Sequence, residues 1–229
     1  MNESKRYKEL TDELDKLRRS LLPEKFNPTG DYNSEFLTRA FAYQVMVHAE
    51  IESYIEDRVL EVAITATRFW DQYKQANRTI LGLIAFSDQK MEKPPESLNP
   101  VQPTQNKVWT NKLDLSKKIA SATEIFYSAV ENNHGIKEKN LLRLLLPIGI
   151  EVDGLDQVWI ADMNSFADIR GELAHKSATK YSARQVIDPK IVLKNAESLL
   201  RGLNILDIEI ENLLIDLEPN TITDWNPPI

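Results

Sequence analysis

The stretch Phe166-Ala167-Asp168-Ile169-Arg170-Gly171-Glu172-Leu173-Ala174-His175 holds the residues best suited to chemistry. It sets a permanent cation and a titratable imidazole close together, a pairing that suits phosphodiester cleavage. Attack by a ribose 2′-OH on its neighbouring phosphate needs one group to take a proton and another to supply one to the leaving oxygen. It also needs positive charge beside the anionic transition state. Histidine, with an unperturbed pKa of about 6.5, can perform either proton transfer near neutrality. Arginine is always charged, and its planar fork of donors suits phosphate oxygens. His175 is therefore the candidate general acid or base, and Arg170 the candidate transition-state stabiliser.

Five positions along a helix amount to about 140° of rotation, so the two residues do not share a face. They can converge through the length of the arginine, through unwinding near the helix end, or across a dimer. Asp168 and Glu172, at offsets of seven and three from His175, approach its helix face and are candidates to orient it. Glu52, together with Glu50, is a candidate to face the same cleft from a helix far upstream. The plainer reading makes His175 a cation at a helix C-terminus, and Arg170 a surface residue paired with Asp168 or Glu172. A metal site built from His48, Glu50 and Glu52 is not expected, because offsets of two diverge around a helix. His48 reads as a packed or rim residue, and His134, within Asn132-Asn133-His134-Gly135, as a solvated loop residue. Trp70, Trp109 and Trp159 read as core or interface anchors.

The elements that must position these residues are helical almost throughout. Tyr7, Leu10, Leu14, Leu17 and Leu21 alternate at spacings of three and four over residues 3–21, and Pro23 closes that segment. So short a seam should dock on the body of the protein or on a second copy. Asn33 or Ser34 can cap a long helix from Glu35 to about Asn77, with Phe36, Ala40, Tyr43, Val47, Ile51, Tyr54 and Ile55 inward. Glu50, Glu56, Asp57 and Arg58 mark its wetter side. An apolar turn follows at Ile80–Phe86. Residues 92–106, with Pro94, Pro95, Pro100 and Pro103, read as an extended connection.

Further helices are predicted from Leu113 to Asn132, stopping near Gly135 as a C′ glycine, and from Glu138 to Leu146 before Pro147. The segment carrying the Arg–His pair should run from about Leu155 to Ser177. Asp188-Pro189 starts the final helix, which extends to about Leu217. Its wide apolar face comprises Ile191, Leu193, Ala196, Leu199, Leu200, Leu203, Leu206, Ile210 and Leu213. The organisation is thus an N-terminal amphipathic helix and turn (1–26), one helical domain (27–218) interrupted by the 92–106 loop, and a non-helical tail (219–229).

A chain of 229 residues that is 42% hydrophobic can bury one ample core. Without cysteine, no disulfide framework and no thiolate zinc site is possible, which fits a reducing compartment. The charged start and the lack of any long uncharged apolar run point to a cytoplasmic protein without a membrane partner. A net charge of -7 argues against a protein that coats nucleic acid, because broad phosphate binding draws on an excess of Lys and Arg. A compact site for one phosphodiester needs only a local positive potential.

The Arg170-x4-His175 motif, late in a helix with Ile160, Met163, Phe166 and Ile169 forming the preceding apolar face, resembles the signature of the HEPN superfamily. Lys139-Asn140-Leu141-Leu142, a short helix closing at Gly149, Trp159 and then the motif follow the order of HEPN domains of the RiboL-PSP or MAE type. The segment from Arg39 to Glu52, with Ala49-Glu50-Ile51-Glu52 at its end, is similar to the long first helix of those domains. The resemblance covers about residues 33–215. It implies an all-α, HEPN-like helical bundle with a long first helix, to which the N-terminal amphipathic helix is added.

The resemblance further implies a metal-independent endoribonuclease that needs no cofactor and leaves 2′,3′-cyclic phosphate ends. HEPN ribonucleases are usually homodimers whose two motifs line one cleft. They often act as toxins or in defence against phage, held in check by an antitoxin or other regulatory protein. One departure stands out: many catalytic motifs of the family have a polar residue after the arginine, where this chain has Gly171. Gly171, the acidic balance and the absence of an obvious basic patch suit a second reading, a non-catalytic HEPN module that binds a nucleotide or a protein partner.

Overall fold

The computed structural model describes residues 3–88, 115–151, 153, 155–175 and 188–217, with side chains described up to 168 in the third of these long stretches. Among the described residues there are seven helices and no strand: α1 (Lys5–Leu21), α2 (Ser34–Tyr73), α3 (Arg78–Ala85), α4 (Leu115–Glu131), α5 (Glu138–Leu145), α6 (Gln157–His175) and α7 (Pro189–Ile215). The expected connection at 92–106, Trp109 and the tail from Pro219 lie outside the described residues. No described helix is long and apolar enough to cross a membrane.

α2 is the axis of the bundle, and α1, α3, α4, α6 and α7 all pack on it. Its start is fixed by Asn33, whose side chain accepts from the Phe36 N–H at 3.0 Å. Ala40, Tyr43, Val47, Ile51, Tyr54 and Ile55 are buried at the expected spacing, and Val59, Val62, Ala63 and Ala66 continue the stripe. The helix ends at Tyr73, earlier than expected. Lys74 turns into the left-handed region, and Asn77 serves instead as the N-cap of α3, accepting from the Ile80 N–H at 2.8 Å.

α1 docks on α2 and α7 through Tyr7, Leu10, Leu14 and Leu17, all within the same core. Its first turn is anchored by Asp207 of α7, whose carboxylate accepts from the Ser4 N–H (2.8 Å) and the Ser4 hydroxyl (2.7 Å). The Tyr54 hydroxyl donates to the same carboxylate at 2.7 Å.

Arg58 corrects the expectation of a wet side: its side chain is 2% exposed. The reason is a set of carboxylates brought around it by the fold, namely Glu61, Asp207 (3.3 Å) and Glu211. Burial works against the guanidinium's charge, but these carboxylates outweigh it and hold the pKa above the ordinary value. Such paired burial is how a charge survives in a core.

Two further expectations are corrected. Ile191 is exposed, and Val192 takes the core position, because the register set by the Asp188 cap turns 192, 196, 199 and 203 inward. Gly135 is not the C′ residue of α4, which already ends at Glu131; it lies within the following turn at φ +147°, a conformation that favours glycine.

Trp159 and Trp70 are buried anchors, as expected. Trp159 lies directly on Gly202 of α7, where a Cβ would fall 2.1 Å from its Cδ1, and its indole donates to the Leu199 carbonyl at 3.1 Å. This fixes the start of the helix whose other end carries the Arg–His motif.

Candidate functional site at the end of α6

α6 is helical without interruption through His175, so Gly171 and both motif positions lie in regular helix. Unwinding of the backbone between 170 and 175 is not seen. The side chains of 169–175, including Arg170, Glu172 and His175, lie outside the described residues.

Register still places the positions. Met163, Phe166 and Ala167 form the buried stripe of α6. Position 170 follows Met163 by seven residues, about 20° off its direction, and so continues the core-side stripe. Position 175 follows Asp168 by seven and Asn164 by eleven, again within about 20°. That second stripe is the wetter one, with Asp168 exposed and Asn164 half-buried.

The wet stripe is met by the turn between α4 and α5. Asn164 Oδ1 accepts the Glu138 N–H at 2.8 Å, and Asp168 forms an ion pair with Lys137. The same turn is tied to α2: the Asn133 amide donates to Glu56 Oε1 (2.8 Å) and to the Gly135 carbonyl (3.1 Å), while the Asn140 amide donates to Asn133 Oδ1 (2.9 Å). Glu56 of α2 and Asn164 and Asp168 of α6 therefore grip one connection. His134, in the middle of it, is exposed, as its sequence context indicated.

Glu52 stands one helical turn before Glu56. It is 14% exposed, and His48 Nδ1 lies 3.6 Å from its Oε2. Gln44, His48, Glu52 and Glu56 recur every four residues and form a largely sequestered polar stripe along α2. His48 is thus packed rather than at a rim. Glu50, two positions away from both, is half-buried on another face. Among the described residues, no group of three or more His, Asp or Glu side chains is arranged to hold a metal ion.

Two clefts among the described residues are built elsewhere. One of about 460 Å³ lies between the start of α6 and the end of α7, around Trp159, Leu206 and Glu209. The other, about 530 Å³, is formed by α3, α4 and α5 around Phe86, Ile125 and Leu142.

Sequence reasoning missed the gripped turn. Its signal was available in Asn132-Asn133-His134-Gly135, where asparagines were read as turn formers alone. Polar side chains in a turn between two core helices also need partners once the turn is buried, and Asn133 is only 5% exposed.

Helices packed around one very long helix, among the described residues, agree with the all-helical domain that the resemblance implied. The sequence matches the family model of RiboL-PSP-HEPN over residues 2–212, and the chain belongs to that family. The match takes in α1 as well as the rest of the bundle. No curated protein and no solved structure matches the chain.

Proposed function

We propose that this protein is a metal-independent endoribonuclease of the HEPN type. The observation that carries the reading is the Arg170-x4-His175 pair in the last turns of α6, within a chain of this family. His175 transfers the proton to or from the 2′-OH and the leaving oxygen, and Arg170 stabilises charge on the phosphate in the transition state. Glu172 and Glu52 are supporting carboxylates. Asp168 belongs to the same group, with one oxygen already engaged by Lys137.

Register supports a composite site. With position 170 in register with the core-side stripe and position 175 with the wet stripe, the two positions stand about 140° apart around one helix, and a second copy can supply the missing group. Sedimentation should then show a homodimer at the concentrations at which RNA is cleaved; an active monomer would refute this part. A toxin or phage-defence role, with an antitoxin or other regulatory partner in the cytoplasm, follows the same reading.

The test is incubation of purified protein with mixed-sequence RNA in EDTA. Fragments ending in 2′,3′-cyclic phosphate are the expected products. Gly171 and the net charge of -7 favour a second reading, a HEPN module that binds a nucleotide or protein without cleavage. Tight binding of RNA or nucleotide with no cleavage would select it.

A further inference from the structure

We propose that Lys137 is a substrate-phosphate contact, held in the free protein by Asp168 and released to the RNA on binding. The inference rests on the ribonuclease reading and adds a residue to it.

The first observation is a local rule broken. Lys137 occupies the N-cap position of α5 and makes no capping hydrogen bond. Ser, Thr, Asp or Asn would cap that end, and a cation there opposes the helix dipole. One free N–H of the first turn is met from another helix, the Glu138 N–H by Asn164 Oδ1, while the N–H groups of the next two residues, which a capping side chain would take, receive nothing from Lys137. Helix stability alone therefore gives no reason for a lysine at this position, and residues that break local rules without local gain concentrate at functional sites.

The second observation is where the ammonium is held. Its partner, Asp168, lies on the stripe of α6 that leads to position 175, two turns further on, or about 10 Å along the helix. The proposed contact is therefore with a phosphate near the scissile one on an RNA chain engaged at position 175.

The third is that the hold is weak. The side chains of Lys137 and Asp168 are 43% and 63% exposed, and ion pairs so open to water contribute little. A phosphate that sheds counterions can displace the carboxylate.

The full-length chain carrying His175→Ala, which keeps RNA intact, should be titrated with a fluorescein-labelled mixed-sequence single-stranded RNA, reading anisotropy across a salt series. Adding Lys137→Ser should weaken binding about fivefold at low salt and flatten the salt dependence by about one phosphate contact, with melting temperature unchanged or raised by the new cap. Asp168→Asn, which frees the lysine, should tighten binding. Lys139→Ala, removing an exposed lysine two positions away, should have a distinctly smaller effect than Lys137→Ser. A purely structural pair predicts otherwise, since both Lys137→Ser and Asp168→Asn break it and should shift binding the same way. That result, or equal losses for Lys137→Ser and Lys139→Ala, would overturn the assignment and leave the ribonuclease reading standing. Failure of the parent chain to bind RNA, together with failure of the wild type to cleave it, would remove the ribonuclease reading and this assignment with it.

Discussion

Two clusters of polar side chains grip α2, and they differ in how fully the protein closes them. Around Arg58, Glu61 of α2 and Asp207 and Glu211 of α7 supply the counter-charges, Ser4 and Tyr54 donate to Asp207, and both Arg58 and Asp207 are almost wholly buried. Around Glu56, a chain of amides leads through Asn133 and Asn140 to a turn whose outermost link, Lys137 to Asp168, stands open to water. The first cluster seals the Arg58–Asp207 pair within the fold, with the partly exposed Glu61 and Glu211 completing the charges around the guanidinium. The second ends in a cation and a carboxylate that a ligand can separate, on the stripe of α6 leading to His175. A charge sealed on all sides can only hold helices together, whereas one left at the rim can also be used.

The largest effect should come from opening the sealed cluster. Asp207→Ala removes the acceptor of Ser4 and Tyr54 and one counter-charge of buried Arg58, and breaking such a pair costs about 3–5 kcal/mol. Urea unfolding should show that loss, while RNA affinity per folded molecule stays unchanged. Asn133→Ala tests the inner part of the other cluster: it strands Glu56 and Asn140, and a loss of about 1–3 kcal/mol is expected by the same measurement. A loss below about 0.5 kcal/mol would mean that the turn is not gripped in solution.

The sealed side also predicts a response to alkali. Burial raises the Tyr54 pKa, helped by its hydrogen bond to Asp207, and pushes that of Tyr43 up to about 12. In the unfolded chain a tyrosine loses its proton near 10, so these groups contribute full stability below that pH. As pH rises from about 10 to 12, each should cost up to about 1.4 kcal/mol per pH unit. Replacing Tyr43 by Phe should reduce that slope, and an unchanged slope would contradict the assignment. The smallest effect belongs to the rim: Lys137→Ser should alter stability by less than about 1 kcal/mol in either direction, because its ion pair is exposed and it makes no capping hydrogen bond that could be lost.

The difference between the clusters also explains what the sequence made legible. Helical periodicity in Ala40, Tyr43, Val47, Ile51 and Tyr54 depends on local spacing alone, so the long helix and its buried face could be read directly. Arg58 could not, because its burial depends on Asp207 and Glu211, about 150 positions away, and spacing carries no record of such pairings. Helix ends were misjudged where one residue has two uses, as at Asn77, which could continue α2 and instead caps α3. The Arg–His pair could be singled out as candidate chemistry from residue type and helical position alone. Its surroundings could not, because the turn that meets α6 becomes a neighbour only through the packing of α2, α5 and α6.

The central claim is that the end of α6 cleaves RNA through Arg170 and His175. It is tested most directly by comparing wild-type protein with Arg170→Ala and His175→Ala on mixed-sequence RNA in EDTA, with folding checked by helical circular dichroism. The account predicts cleavage by the wild type and a loss of roughly 10²–10⁴-fold in the histidine variant, with a comparable collapse in the arginine variant. Cleavage that persists in both folded variants would contradict it.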